Sequence, residues 1–269
     1  MKLNFSRPLI MGVINVTPDS FSGSGRRVSS RAAVAQAKRL IAEGADIIDV
    51  GGESTRPGAA PVSVKDELAR VIPVIESLAR LHPRIPISVD TSKPEVAQAA
   101  LSAGAVIIND VTGLSHPAMV ELAVRTQAYV VIMHMKGTPQ DMAKKARYGD
   151  VVAEVTRWLK ERAEKLESRG VKKIILDPGI GFAKTASHNL SILDRLDTIV
   201  ALGYPLLLGA SRKSFIGKIL DKPVEERKVG TQAVTAIAVM KGASIIRVHD
   251  VAGNIQAARI AYCVRKGRV

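Results

Sequence analysis

Short apolar runs rich in β-branched residues recur along the chain at 9–14, 47–50, 87–89, 106–108, 130–133, 174–176, 206–208 and 245–248. Each is only three to six residues long, which fits strands covered on both faces. The longer stretches between them carry apolar residues at helical spacing. In the fifth, Val151, Val155, Trp158, Leu159 and Leu166 share one face, and charged residues take the rest. Pro94 and Pro117 stand where helices would begin. Gly44, Gly104, Gly170 and Gly242 each follow a helical stretch and precede a strand, as a helix C-terminal glycine does. A strand that returns through a helix pairs in parallel with its neighbour. Eight such units in 269 residues predict a single-domain (β/α)8 TIM barrel over 1–269, in preference to an open doubly wound sheet.

Polar residues fall where the apolar runs stop. Asn15 follows the first run, Glu53-Ser54-Thr55-Arg56 the second, Asp90 the third, Asn109-Asp110 the fourth, His134 the fifth and Asp177 the sixth. Ser211-Arg212-Lys213-Ser214 follows the seventh, and the eighth carries Arg247 and ends at His249. A lone Asp in such a place is usually a helix cap or turn former. In a barrel, however, all eight strand ends meet on the face that holds active sites. Asp90, Asn109 and Asp177 offer acceptors and an amide to a flat heterocycle bearing N–H groups. Arg56, Arg247 and His249 are cations or donors suited to phosphate, and Asn15 offers an oxygen to a hard ion such as Mg2+.

Charge adds little to that picture. Lys and Arg exceed Asp and Glu by 39 to 25, a formal net charge of +14. The excess is scattered in short mixed pieces, and nine aromatic residues are few for base stacking, so nucleic acid is not the expected partner. No apolar run approaches a membrane span. One cysteine, Cys263, leaves no intrachain disulfide and suits a reducing, cytoplasmic setting.

Taken in order, the segments 11–22 (MGVINVTPDSFS), 49–58 (DVGGESTRPG), 88–91 (SVDT) and 108–113 (INDVTG) resemble motifs of dihydropteroate synthases. So do 133–135 (MHM), 176–182 (LDPGIGF), 211–217 (SRKSFIG) and 247–251 (RVHDV). The resemblance implies a (β/α)8 barrel that condenses 6-hydroxymethyl-7,8-dihydropterin diphosphate with 4-aminobenzoate, releasing diphosphate, in folate biosynthesis. It implies that Asp90, Asn109, Asp177 and Lys213 hold the pterin, with Val111 and Met133 packed on it. Asn15, Arg56, Arg247 and His249 would hold the diphosphate and its Mg2+. Thr55, Pro57, Phe182, Lys213 and Ser214 would frame the 4-aminobenzoate site. The catalytic set would be Asp90, Asp177, Lys213, Arg247 and His249. A homodimer and binding of sulfonamide-type inhibitors are also implied. Within the first loop, 17–27, Gly23 stands where the family commonly carries Asp, so a slower reaction is expected. Ala146 stands where the family usually has Pro. The competing functions are a methyltetrahydrofolate-binding methyltransferase domain and a weakly active pterin-binding paralogue. The first would not need the 211–214 element or the Arg247/His249 pair.

Overall fold

A computed structural model describes residues 1–17, 26–55 and 58–268. Gly23 and Ser24 of the first loop, and Arg56 and Pro57, lie outside these residues. The predicted runs form eight strands: β1 (Leu9–Asn15), β2 (Ile47–Gly51), β3 (Ile87–Asp90), β4 (Ile107–Asp110), β5 (Tyr129–Met133), β6 (Ile174–Asp177), β7 (Leu207–Leu208) and β8 (Ile245–Val248). All pair in parallel, in the order β6-β5-β4-β3-β2-β1-β8-β7. A single bridge between Leu176 and Leu206 joins the two ends, and the Leu176 N–H donates to the Pro205 carbonyl at 2.9 Å. The sheet is therefore a nearly closed barrel.

Helices return the chain between strands: α1 (Arg26–Ala42), α2 (Val64–Leu81), α3 (Pro94–Ser102), α4 (Pro117–Thr126) and α5 (Val151–Ser168) come first. They are followed by α6 (Ala186–Asp194), α7 (Leu196–Val200), α8 (Ser214–Leu220), α9 (Lys228–Met240) and α10 (Val251–Lys266). Pro94 and Pro117 open α3 and α4 as expected. Four corners between helix and strand share one solution. At the end of α1, the Gly44 N–H reaches the Ile41 carbonyl and the Ala45 N–H reaches Leu40. Gly104, Gly170 and Gly242 repeat both bonds after α3, α5 and α9. All four glycines have φ between 96° and 115°, where a side chain would be strained.

Two apolar layers follow from the period-two alternation of a strand. Ile10, Ile48, Ile108, Ile132 and Leu176 face outward and pack with the helices. Met11, Ile47, Ile107, Val131, Ile175, Leu207 and Ile245 form a separate cluster inside the barrel. Two residues further along each inward row lies the next inward position. That rule places Asp49, Asn109, Met133, Asp177 and Arg247 directly above the apolar plug, with Asp90 above Ser88. The barrel is thus filled with hydrocarbon at its N-terminal end and lined with polar groups at its C-terminal end.

Candidate active site

A narrow cleft opens among the C-terminal strand ends. Asp90, Asn109 and Asp177 line it, with Arg247 between the carboxylates. Val111, Met133, Ile180 and Phe182 form its apolar wall, and Thr55 and Lys213 stand at its rim. Arg247 organises this floor from β8. Its Nε donates to Asp49 Oδ2 at 2.7 Å, and one terminal nitrogen lies 2.6 Å from that oxygen and 2.7 Å from Asp90 Oδ2. Asn109 Nδ2 donates to the same Asp49 oxygen at 3.3 Å. Burial works against the charge on Arg247, but Asp49 and Asp90 outweigh it and hold the guanidinium well above its ordinary pKa. Burial pushes the Asp90 carboxyl up to about 7; Arg247 opposes the rise and Asp49 adds to it. Burial outweighs the guanidinium, which Asp90 shares with Asp49, and so Asp90 rises despite its ion pair.

Asp177 faces Asp90 from the other side. Its Oδ1 accepts the Gly179 N–H at 2.7 Å, which folds the β6–α6 loop back over the strand end. Burial raises the Asp177 pKa, against that hydrogen bond and the nearby Lys213. Gly179 has φ +69°, and a Cβ there would collide with the His134 carbonyl, so only glycine admits this close approach. Phe182 ends the loop with Lys213 Nζ 4.1 Å from its ring centroid, within cation–π range. Ser214 is the first residue of α8, directly after Lys213.

Three residues that the sequence reading left out complete the cluster. Asp49 is fully buried and anchors both Arg247 and Asn109. Lys184 tucks its ammonium under the loop, with acceptors at Phe182 O (3.0 Å), His134 O (3.2 Å) and His134 Nδ1 (3.1 Å). Three acceptors match the three N–H groups of a lysine. Burial brings Lys184 down to about 7, while Asp177 opposes the fall. Burial, with Lys184 and Lys136 adding, brings His134 down to about 3. His134 is therefore a neutral acceptor, packed edge-on against Trp158, and its role is structural. The third residue, Ser211, bonds His249. Asp110 has the bland role expected of it: its carboxylate accepts from the Thr112 hydroxyl and from the N–H groups of Thr112 and Leu114.

The loop after β2, which carries Thr55, is braced from below. Glu53 accepts from the Val62 N–H at 3.0 Å and pairs with Lys93, which also pairs with the fully buried Glu67 on α2. His249 lies just beyond β8, two residues past Arg247. Burial, then repulsion by Arg247 and Arg212, brings its pKa down to about 4. His249 is thereby held as a neutral ring rather than a cation.

Asn15 ends β1. Among the described residues, no group of three or more His, Cys, Asp or Glu could hold a metal ion. The side-chain oxygen of Asn15 is of the hard kind that Mg2+ takes, an ion that keeps most of its ligands as water and substrate phosphate. A larger cavity of about 300 Å3 lies near the opposite end of the barrel, beside α3, α4 and β5. Its lining holds no carboxylate and one cation, Lys173, so size there does not mark chemistry.

A model of pterin binding enzymes matches residues 11–249. A dihydropteroate synthase of Escherichia coli (strain K12) is 50% identical over 260 residues, 96% of this chain and 92% of that protein. The chain belongs to the dihydropteroate synthase family. Two solved members superpose closely. Xanthomonas albilineans dihydropteroate synthase with 4-aminobenzoic acid gives a TM-score of 0.92 at 45% identity, covering 98% of this chain and 95% of that one. A Yersinia pestis dihydropteroate synthase in complex with a sulfonamide drug gives 0.93 at 42% identity, covering 99% and 97%. The family fold agrees with the barrel described above. No helix among the described residues is long and apolar enough to cross a membrane.

Proposed function

We infer that the chain condenses 6-hydroxymethyl-7,8-dihydropterin diphosphate with 4-aminobenzoate, giving 7,8-dihydropteroate and diphosphate. The observation that carries this reading is the convergence of Asp90, Asn109 and Asp177 on one cleft with Lys213 and Phe182, in a chain of this family. The pterin enters flat. Its ring N–H and amino groups donate to Asp90 and Asp177, and Asn109 supplies an amide. Met133 and Val111 cover its faces. The exocyclic methylene then carries the diphosphate toward His249 and Arg247, and the family motif gives Arg56 a part in holding the same anion. Thr55, Pro57, Phe182, Lys213 and Ser214 frame the 4-aminobenzoate. Sulfonamides, which mimic that arylamine acid, compete for the same end.

The chemistry needs no protein nucleophile. The amine nitrogen forms a bond to the methylene carbon, the C–O bond breaks with its electron pair leaving on diphosphate, and the amine gives up a proton. Positive charge that develops on the pterin is balanced by Asp90 and Asp177. Lys213, set between ring and acid, helps hold both substrates. Asn15 would hold a Mg2+ ion brought in with the diphosphate, and that ion would supply further charge neutralisation for the leaving group. Holding the two reactants in line supplies much of the remaining acceleration.

A homodimer is the assembly we propose. Val229, Ile237 and Met240 on α9 and Ile260 and Val264 on α10 are 44–75% exposed, and the two helices pack side by side. Five exposed apolar side chains on two adjacent helices favour a partner, and a second copy of the chain is the partner always at hand. One cysteine favours the cytoplasm. To test the activity, the protein is incubated with the pterin diphosphate, 4-aminobenzoate and Mg2+, and dihydropteroate and diphosphate are measured. Absence of both products from folded protein overturns the function. Full activity in excess chelator overturns the metal assignment alone.

A further inference from the structure

The turn between β7 and α8 is held more tightly than substrate binding by Lys213 and Ser214 requires. Arg212, at its centre, has φ +56°, a conformation that a non-glycine residue adopts only under constraint. The constraint comes from three sides. The Arg212 N–H donates to Thr231 Oγ1 at 3.0 Å, and its carbonyl accepts from Arg227 at 3.2 Å. Its guanidinium spans the Asp250 carboxylate at 2.8 and 3.0 Å. Asp250 follows His249 directly. The turn is therefore clamped to the segment that carries His249, and the residue aimed at His249 by this clamp is Ser211.

Ser211 Oγ lies 3.2 Å from the His249 backbone nitrogen and 3.0 Å from its Nδ1. The backbone N–H can only donate, so the Ser211 oxygen accepts there. The hydroxyl oxygen keeps a second lone pair, so at 3.0 Å the hydroxyl can either give its proton to Nδ1 or accept from Nδ1–H. In the first arrangement the Ser211 proton has an acceptor, Nδ1 carries no proton, and the ring proton sits on Nε2, away from Ser211. His249 sits two residues past the inward-facing Arg247, and burial, then repulsion by Arg247 and Arg212, keeps a second proton off the ring.

We propose that Ser211 is a positioning residue that fixes His249 in the tautomer protonated at Nε2, so that the ring meets the leaving diphosphate as a hydrogen-bond donor. The opposite tautomer would turn a lone pair toward anionic oxygens. The inference rests on the reading of His249 as a diphosphate ligand. Its own content, the tautomer and its cause, stands on the Ser211 geometry.

Nitrogen-15 histidine spectra of the intact protein at neutral pH test it, with the His249 signals assigned by their loss in His249→Asn. In the wild type, Nδ1 resonates as an unprotonated, hydrogen-bonded nitrogen and Nε2 as a protonated one. In Ser211→Ala, the two resonances move toward each other as the tautomers mix. Ser211→Thr keeps the hydroxyl and restores the wild-type pattern. Kinetically, Ser211→Ala lowers kcat/KM for the pterin diphosphate by about tenfold, the equivalent of one hydrogen bond, and weakens product inhibition by diphosphate. KM for 4-aminobenzoate stays within about twofold, because that substrate does not meet His249. A protonated Nδ1 in the wild type, or a Ser211→Ala spectrum identical to it, overturns the inference. Normal kinetics in both Ser211→Ala and His249→Asn overturn instead the diphosphate reading on which it rests.

Discussion

Replacing Asp177 by Asn isolates recognition from folding, because the two oxygens of this carboxylate have different duties. Oδ1 accepts the Gly179 N–H at 2.7 Å and so shapes the loop that presents Phe182. An asparagine oxygen can keep that bond. The second oxygen faces the cleft, and in Asp177→Asn it becomes an NH2 group pointed at substrate groups that are themselves donors. Each charge-assisted hydrogen bond is worth about 1.5–3 kcal/mol. Two pterin N–H contacts therefore put the loss at about 3–6 kcal/mol, or roughly a hundredfold to ten-thousandfold in kcat/KM. Burial raises the Asp177 pKa, so the carboxylate is a costly anion in the empty site. Its replacement by a neutral amide should therefore leave stability within about 1 kcal/mol. Steady-state kinetics with each substrate varied in turn, beside urea unfolding, make the comparison. Asp177→Ala is the control: without the Gly179 tie it should also raise KM for 4-aminobenzoate through Phe182. A kcat/KM for Asp177→Asn within about threefold of wild type would remove Asp177 from pterin recognition.

Acid should unfold the protein partly through His134. Folded His134 takes a proton only near pH 3, the unfolded residue near 6.5, so its stabilising contribution is complete above that upper value and is lost as pH falls between the two. His134→Asn should flatten the fall in urea-unfolding free energy between about pH 6 and pH 4 by about 1.4 kcal/mol per pH unit; an unchanged slope would show that His134 titrates normally. Ile237→Glu places a charge in the apolar α9–α10 surface and should convert a dimer to monomer in sedimentation velocity, whereas a wild type already monomeric at micromolar concentration would end the dimer proposal.

The barrel was legible because burial on both faces forces strands to be continuously apolar. Residues 130–133 and 206–208 stood out for that reason, and the strand bounds moved by only a residue or so at most ends. The carboxylates that follow such runs, Asp90 and Asp177, were legible for the complementary reason: a charge at the end of a buried strand needs a purpose. Asp49 was hidden because it lies inside its run, where it reads as an interruption of β2. The signal was the alternation itself, since Ile47 faces the barrel interior and Asp49 must follow it there. Lys184 and Ser211 left no trace in periodicity. Their partners are a backbone carbonyl of residue 134 and a ring at 249, 50 and 38 positions away, and spacing along a chain cannot report contacts of that span. The break between α6 and α7 at Arg195 was equally silent, since both halves keep their apolar face.

Arg247 joins β8 to β2 and β3 across the mouth of the barrel through Asp49 and Asp90. The bonds that present the pterin-facing carboxylates are thus also bonds across the barrel wall. Loss of Arg247 leaves two buried carboxylates without their cation, at a cost of about 3–5 kcal/mol, before any effect on the reaction is counted. A change at 49 or 90 leaves the guanidinium its other carboxylate, so the wall tolerates a loss on β2 or β3 better than one on β8. The loop that carries Thr55 is tied instead to the segment after β5, where the Gly58 N–H reaches the Pro139 carbonyl at 3.3 Å; that tie is backbone to backbone, so side chains at the arylamine end can change without breaking it.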